Sequence, residues 1–254
     1  MAVILKTFEE IEKIKAAGKI LASVAKAVIN KAKEGVSLKE LDVLTNKLIL
    51  KAGSKPAFFG YRPYGAKKPY PCSICASVNE VVVHGIPGNY KLKSGDLLKL
   101  DFGVIYDGYY ADAAWTIGVG EISPVAKKLI MVTQEALRRA IQECRPGKTL
   151  GDVGYAVSSF VKKNGFQTVK GLTGHGIGRE LHEDPSVFNE GRKGSGLELK
   201  SGMVLALEPM VSVGSPEVIQ GPDDSYRTAD GSLSAHFEHT VVITKKGPEI
   251  LTLL

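Results

Sequence analysis

Two helix-start signals recur at one fixed distance, and that spacing constrains the fold more than any other feature of this 254-residue chain. Ser37 opens a helix with Glu40 three residues on, a capping box in which the cap hydroxyl and the acid satisfy each other's backbone amides. Thr149-Leu150-Gly151-Asp152 opens another. Ser37 to Thr149 is 112 residues, and the glycine stops Gly53 and Gly165 lie the same 112 residues apart. A longer helix precedes each of these. One runs from Thr7, boxed with Glu10, to Gly35, with Ile11, Ile14, Leu21, Val24, Val28 and Ile29 on one face. The other starts at Ser123-Pro124 and ends near Pro146-Gly147. Landmarks repeated at one step, each followed by a strand-rich stretch, predict an internal duplication.

The strand-rich stretches read as 97–106 and 109–119 in the first half, and 203–207 and 234–244 in the second. Asp107-Gly108 between the first two is a two-residue hairpin signal. Two helices followed by strands, twice, predict an α+β fold with helices packed on one side of a largely antiparallel sheet. No low-complexity linker interrupts the chain, so residues 1–254 read as one domain of two pseudo-symmetric halves, about 1–122 and 123–254.

Composition removes several classes. At 44% hydrophobic and 24% charged residues the chain is ordinary globular material. No uncharged apolar run approaches the ~20 residues of a spanning helix, so no membrane role is expected. Val3-Ile4-Leu5 is too short for a signal-peptide core. Three cysteines make an odd count, which suits reduced thiols in a cytoplasm. Cys72 and Cys75 have CxxC spacing, but no second pair follows, so they read as packing residues. The net charge of +6 is concentrated early: residues 1–55 hold eleven Lys against six acids. That surplus marks a solvated helical face that can assist docking on a polyanion.

The chemistry-bearing residues are acids placed where acids rarely belong. Asp101 and Asp112 lie inside apolar strand patterns on either side of the hairpin turn. If Asp107-Gly108 is that turn, Gly103 faces Asp112, and Asp101 and Asp112 become diagonal neighbours about 7–8 Å apart on one face. Carboxylates so placed repel unless a proton or cation lies between them. Glu208 ends the apolar run 203–207, and Glu238 lies within another. His175 sits among three glycines, which permit close backbone approach. It belongs to neither a GxGxxG nor a P-loop pattern. Four carboxylates balance two divalent ions in charge, and one imidazole beside them suits a two-metal site.

The ordered set Asp101, Asp112, His175, Glu208 and Glu238 resembles the five metal ligands of the pita-bread metallopeptidases. Segments 77–87 (SVNEVVVHGIP) and 175–185 (HGIGRELHEDP), with 207–210 (LEPM) and 232–240 (SLSAHFEHT), resemble those of bacterial-type (type I) methionine aminopeptidases. The resemblance runs in order over essentially the whole chain. It implies the duplicated pita-bread fold and hydrolytic removal of the initiator methionine from nascent polypeptide N-termini whose second residue is small. It implies a cytoplasmic monomer that needs two divalent ions, Co, Mn, Fe, Zn or Ni, and in some members a monovalent cation near Thr116 and the backbone of Asn79, Val81 and Ser234. Asp112 and Glu238 would bridge the ions, Asp101 would chelate one, and His175 and Glu208 would complete the shells. A water acidified by both cations would be the nucleophile, with Glu208 as general base. His84 would contact the peptide, His182 would stabilise the oxyanion, and Phe58, Tyr61, Tyr70 and Cys75 would wall the methionine pocket.

Three positions depart from that family's pattern. Residues 63–69 look like an insertion between two pocket positions. Leu181 stands where bacterial-type members usually carry an aromatic. A lidding Trp has no counterpart, Asp224 being nearest, so Tyr226 or the inserted loop is expected to serve in its place. Two other readings compete. Xaa-Pro peptidases share the five ligands but usually carry an N-terminal domain for which this chain leaves no room. Metal-free relatives that bind RNA or ribosomes have replaced ligands, whereas all five are retained here. The basic N-terminal segment can still support transient ribosome contact, and no specific DNA partner is implied.

Overall fold

The computed structural model describes residues 3–62 and 68–253, so part of the 63–69 segment, residues 63–67, lies outside the described residues. Four helices form where the caps predict: α1 Phe8–Lys31, α2 Leu38–Lys51, α3 Pro124–Glu143 and α4 Leu150–Lys163. Thr7, Ser37 and Thr149 each close a complete capping box, and Ser123 caps α3 ahead of Pro124 at its first turn. None of the described helices is long and apolar enough to cross a membrane.

The repeat extends beyond the caps. Ser37 bridges to Lys91 and Thr149 to Glu198. Around them Gly35 N–H donates to Leu92 O, as Gly147 N–H donates to Leu199 O. Both glycines sit at positive φ, 83° and 84°, where a side chain would be strained.

Strands Leu97–Tyr106 and Tyr109–Gly118 form the expected hairpin, with Gly103 opposite Asp112. Asp107 and Gly108 both take positive φ, 47° and 77°, the geometry whose twist matches the flanking strands. Strand Ile74–Val78 pairs on the other side of 97–106. The second half repeats this unit: Val204–Leu207 pairs with His239–Thr244 on one side and with Thr173–Gly176 on the other. Every strand pairing among the described residues is antiparallel.

Register decides which face is which. Leu98, Leu100, Phe102 and Val104, with Ala111, Ala113 and Trp115 opposite, belong to one apolar cluster with Leu21, Val24 and Val28 of α1 and Leu129 and Leu137 of α3. Alternation turns Lys99, Asp101, Asp112, Ala114 and Thr116 to the opposite face.

The expected strand 234–244 is two strands. Ser234–His236 pairs with Met210–Ser212, while His239–Thr244 pairs with 204–207. The chain changes partner at Phe237-Glu238, opposite the place where the neighbouring strand changes partner at Glu208-Pro209, and Phe237 N–H donates to Pro209 O at 3.3 Å. Both glutamates therefore sit at a corner where strands leave one sheet for another.

Candidate metal centre

The five candidate ligands, the two candidate substrate-facing histidines and the four candidate pocket residues line one cleft of about 620 Å³: Phe58, Tyr61, Tyr70, Cys75, His84, Asp101, Asp112, His175, His182, Glu208 and Glu238. Ligand atoms of Asp112, His175 and Glu238 lie within 4.8 Å of one another, as do those of Glu208, His236 and Glu238.

Each side chain is fixed by its backbone. Asp112 N–H donates to Thr240 Oγ1 at 2.9 Å, and that hydroxyl donates back to Asp112 O at 2.7 Å. Glu238 and Ala114 exchange both backbone bonds, at 2.9 and 3.3 Å. His175 lies on a strand rather than in the loop its glycines suggest. Those glycines clear the neighbours on both sides: a Cβ on Gly174 would meet Ala206 O at 2.4 Å, and one on Gly176 would meet Asp184 O at 2.2 Å. The imidazole contacts Gly176 O through Nδ1 at 2.9 Å, and its Nε2 lies 3.6 Å from Glu208.

The electrostatics are unfavourable without a cation. Burial raises the Asp101 and Glu208 carboxyls above the usual carboxylate range; His236 opposes this at Asp101 and His175 at Glu208. Burial followed by mutual repulsion raises Asp112 and Glu238 further. Asp101 Oδ1, Asp112 Oδ1 and Glu238 Oε1 are buried without a hydrogen-bond partner in the protein. Orphaned carboxylate oxygens crowded with an imidazole fit hard or borderline divalent cations.

Two histidines stand over this floor. His182 Nδ1 lies 2.6 Å from the Tyr61 hydroxyl, and its ring centroid is 4.3 Å from that of His175. His84 takes φ 61°, a strained value for a non-glycine residue, and its ring meets the edge of Tyr226 at 5.8 Å. Both rings open onto the cleft while protein crowds their other sides. This lowers His84 to about 4, with His236 adding to the effect, and His182 to about 3, with His175 and His84 adding. Both are neutral near pH 7.

The apolar wall gathers Phe58, Tyr61, Tyr70, Cys75 and Leu181, the last only 2% exposed. Burial holds the Cys75 thiol well above its ordinary value, so it stays protonated. Cys72 is half-buried, and no cysteine joins either ligand group among the described residues. Lys68 and Pro69, from the end of the 63–69 segment, border the cleft, as do Pro222, Asp223 and Asp224. Tyr226 is not part of that border; it backs His84 instead.

Two residues escaped the sequence reading. His236, 1% exposed, has no hydrogen bond at either ring nitrogen, and its Nε2 stands 3.3 Å from Glu208 Oε2. Its signal was its position two residues before Glu238. Lys99 was hidden in the run LLKLD. Its ammonium donates to Asn79 O at 2.6 Å and lies 3.3 Å from Ser234 O, beside the backbone where the resemblance implies a monovalent cation in some members. The residues present therefore do not fit a free ion there. Burial lowers Lys99 to about 7, with Glu80 and Asp96 opposing.

Ligand-type side chains fixed on antiparallel strands, beside an apolar recess, make up a site that could hold divalent cations. The chain belongs to metallopeptidase family M24, whose model matches residues 12–245. A methionine aminopeptidase of Aquifex aeolicus is 46% identical, with all of both chains covered. The crystal structure of methionine aminopeptidase from Rickettsia prowazekii superposes with TM-score 0.95 at 40% identity, covering 99% of this chain and 100% of that one. The prolidase of Pyrococcus horikoshii is more distant: TM-score 0.78 at 25% identity, covering 98% of this chain and 63% of that one. The relatives share the pita-bread fold that the sequence resemblance implied.

Proposed function

We propose that this chain is a methionine aminopeptidase, removing the N-terminal methionine from polypeptides with a small second residue. The observation that carries the reading is an apolar recess opening onto a floor of four carboxylates, Asp112 and Glu238 buried and Asp101 and Glu208 half-buried, together with His175. An unbranched, flexible thioether suits a recess of rings, a leucine and a thiol. Asp101, Asp112, His175, Glu208 and Glu238 would hold two divalent cations. When bound, such ions neutralise the carboxylates, polarise the scissile carbonyl and lower the pKa of water.

The protein's own groups supply the rest. Glu208 lies beside the other ligand residues and is positioned to accept the proton of the attacking water. With the Tyr61 hydroxyl as donor to His182 Nδ1, Nε2–H would be the free donor for the oxygen that gains charge as the carbonyl is attacked. His84, neutral and held by its strained backbone and Tyr226, would bind the peptide link on the opposite wall. Lys68, Pro69 and Asp224 would border the second-residue position. The 1–254 chain would act as one catalytic unit of two halves, as a cytoplasmic monomer. Exposed Lys26, Lys31 and Lys33 would serve passing ribosome contact; charge alone supports this.

The reading is tested by offering Met-Ala-Ser, Met-Leu-Ser and Ala-Pro-Ser peptides to metal-stripped protein and to protein reloaded with Mn²⁺ or Co²⁺. Free methionine from Met-Ala-Ser, only after reloading, is expected. Preferential cleavage before proline would move the protein to the Xaa-Pro branch.

A further inference from the structure

Lys99 takes no part in this chemistry, yet at 1% exposure it is as deeply buried as any residue of the cleft floor. Its ammonium has oxygen partners and no carboxylate among them: Asn79 O at 2.6 Å, Ser234 O at 3.3 Å and Ser234 Oγ at 3.3 Å. A lysine is seldom fully buried without a paired acid, so the cage itself must compensate the charge. Three acceptors match the three N–H bonds of an ammonium; a neutral amine would offer two and turn its lone pair on a carbonyl.

The cage is built rather than incidental. Asn79 takes φ 53°, its amide donates to Asp96, and its side-chain oxygen accepts from Leu97 N–H. Ser234, 155 residues away in sequence, donates its hydroxyl to Asn79 O at 3.0 Å, and its backbone N–H donates to the same oxygen at 3.1 Å. The Ser234 hydroxyl also lies 3.4 Å from Val81 O. From Lys99 the strand runs two residues to Asp101, and from Ser234 the chain runs four residues to Glu238.

We infer that Lys99 is a tethered monovalent cation: its ammonium fills the oxygen cage of Asn79 and Ser234 and thereby clamps the segment delivering Glu238 to the strand delivering Asp101. It is a positioning residue, not a catalytic one. Potassium and ammonium are nearly equal in size and take the same oxygen ligands. Truncating Lys99 should therefore create a potassium-dependent enzyme from an indifferent one. The activity part of this inference rests on the aminopeptidase reading; the stability part does not.

The test compares metal-loaded full-length protein and Lys99→Ala in tetramethylammonium chloride and in potassium chloride at equal ionic strength. For the unsubstituted protein, Tm and turnover of Met-Ala-Ser should be the same in both salts. In tetramethylammonium, Lys99→Ala should lose roughly 5–10 °C of Tm and about tenfold in kcat, with KM little changed. Potassium should restore at least half of both losses. A Lys99→Ala protein that matches the parent in tetramethylammonium, or whose losses potassium leaves in place, overturns the inference. If Lys99→Ala does not accumulate in soluble form, Lys99→Asn takes its place; insolubility of both in potassium also overturns it, because the ion is held to replace the ammonium. If the parent fails to cleave Met-Ala-Ser, the aminopeptidase reading fails while the Tm comparison still decides the role of Lys99.

Discussion

Thr116 and Thr240 perform the same act on opposite halves of the molecule. Thr116 Oγ1 accepts from His236 N–H at 2.8 Å and donates to His236 O at 2.7 Å. Thr240 Oγ1 accepts from Asp112 N–H at 2.9 Å and donates to Asp112 O at 2.7 Å. The steps from 116 to 240 and from 112 to 236 are both 124 residues, and the Ala114–Glu238 pair lies between the two clasps. A local twofold thus passes through the metal centre and places His236 as the counterpart of Asp112.

Thr240→Val keeps the shape and removes the clasp, leaving the Asp112 backbone N–H and C=O unsatisfied in a buried strand. Each orphaned group costs about 1–3 kcal/mol. Tm should fall by roughly 5–15 °C, and metal affinity by about 10- to 100-fold. Calorimetry and metal titration check this; an unchanged metal affinity would mean that the strand holds Asp112 without the hydroxyl.

The metal-free protein should lose stability as pH rises from about 6.5 to 8. Carboxyls whose folded pKa is raised stabilise the fold while protonated, and that contribution fades as pH climbs through the folded value, about 7 for Asp101 and Glu208. His84, His182, His236 and His239 are lowered, so their effect lies below about 6.5. Lys99, lowered to about 7, opposes the trend as one group against four acids. Divalent cations should compete with the protons, flatten the slope and bind more tightly as pH rises. Thermal melts in chelator and in Mn²⁺ across this window check the signs; a chelated protein that gains stability towards pH 8 contradicts them.

Tyr61→Phe removes the donor at His182 Nδ1 and leaves the ring wall. A hydrogen bond of roughly 0.5–1.5 kcal/mol corresponds to a loss of about two- to tenfold in kcat, with methionine preference over leucine retained. Steady-state kinetics on paired peptides read this out. A large change in KM with kcat intact would make Tyr61 a pocket wall and nothing more.

Tyr226→Ala should behave similarly through the other histidine, because Tyr226 meets the edge of His84. An edge-on ring contact is worth about 0.5–1.5 kcal/mol, so kcat/KM should fall about two- to tenfold. Selectivity between Met-Ala-Ser and Leu-Ala-Ser should stay as it was; a shift in it would place Tyr226 over the substrate after all.

Local signals carried the sequence reading, and non-local ones limited it. The hairpin register was legible because Asp107-Gly108 fixes it alone, and with it the shared face of Asp101 and Asp112. The break at Phe237-Glu238 was not legible, because it arises where the 204–207 and 210–212 strands exchange places, which no run of residues 234–244 encodes. The 112-residue step holds at the helix caps, but the central strands repeat at 124, so one spacing could not align both. Lys99 and His236 each stood two residues before a candidate ligand, Lys99 on the strand that carries Asp101 and hence on its face, His236 at the end of the strand just before Glu238. Alternation could have found them; their partners, the Glu208 carboxylate and the Asn79–Ser234 cage, could not be found that way.

The most direct measurement follows free methionine and Tm together as metal-stripped protein takes up Mn²⁺, with Asp101→Asn beside it. In chelator no methionine should be released; with Mn²⁺, activity and Tm should rise together and level within two equivalents, and Asp101→Asn should be more than about 100-fold less active. Methionine release in full chelation, or an Asp101→Asn protein as active as its parent, would contradict the metal-dependent reading.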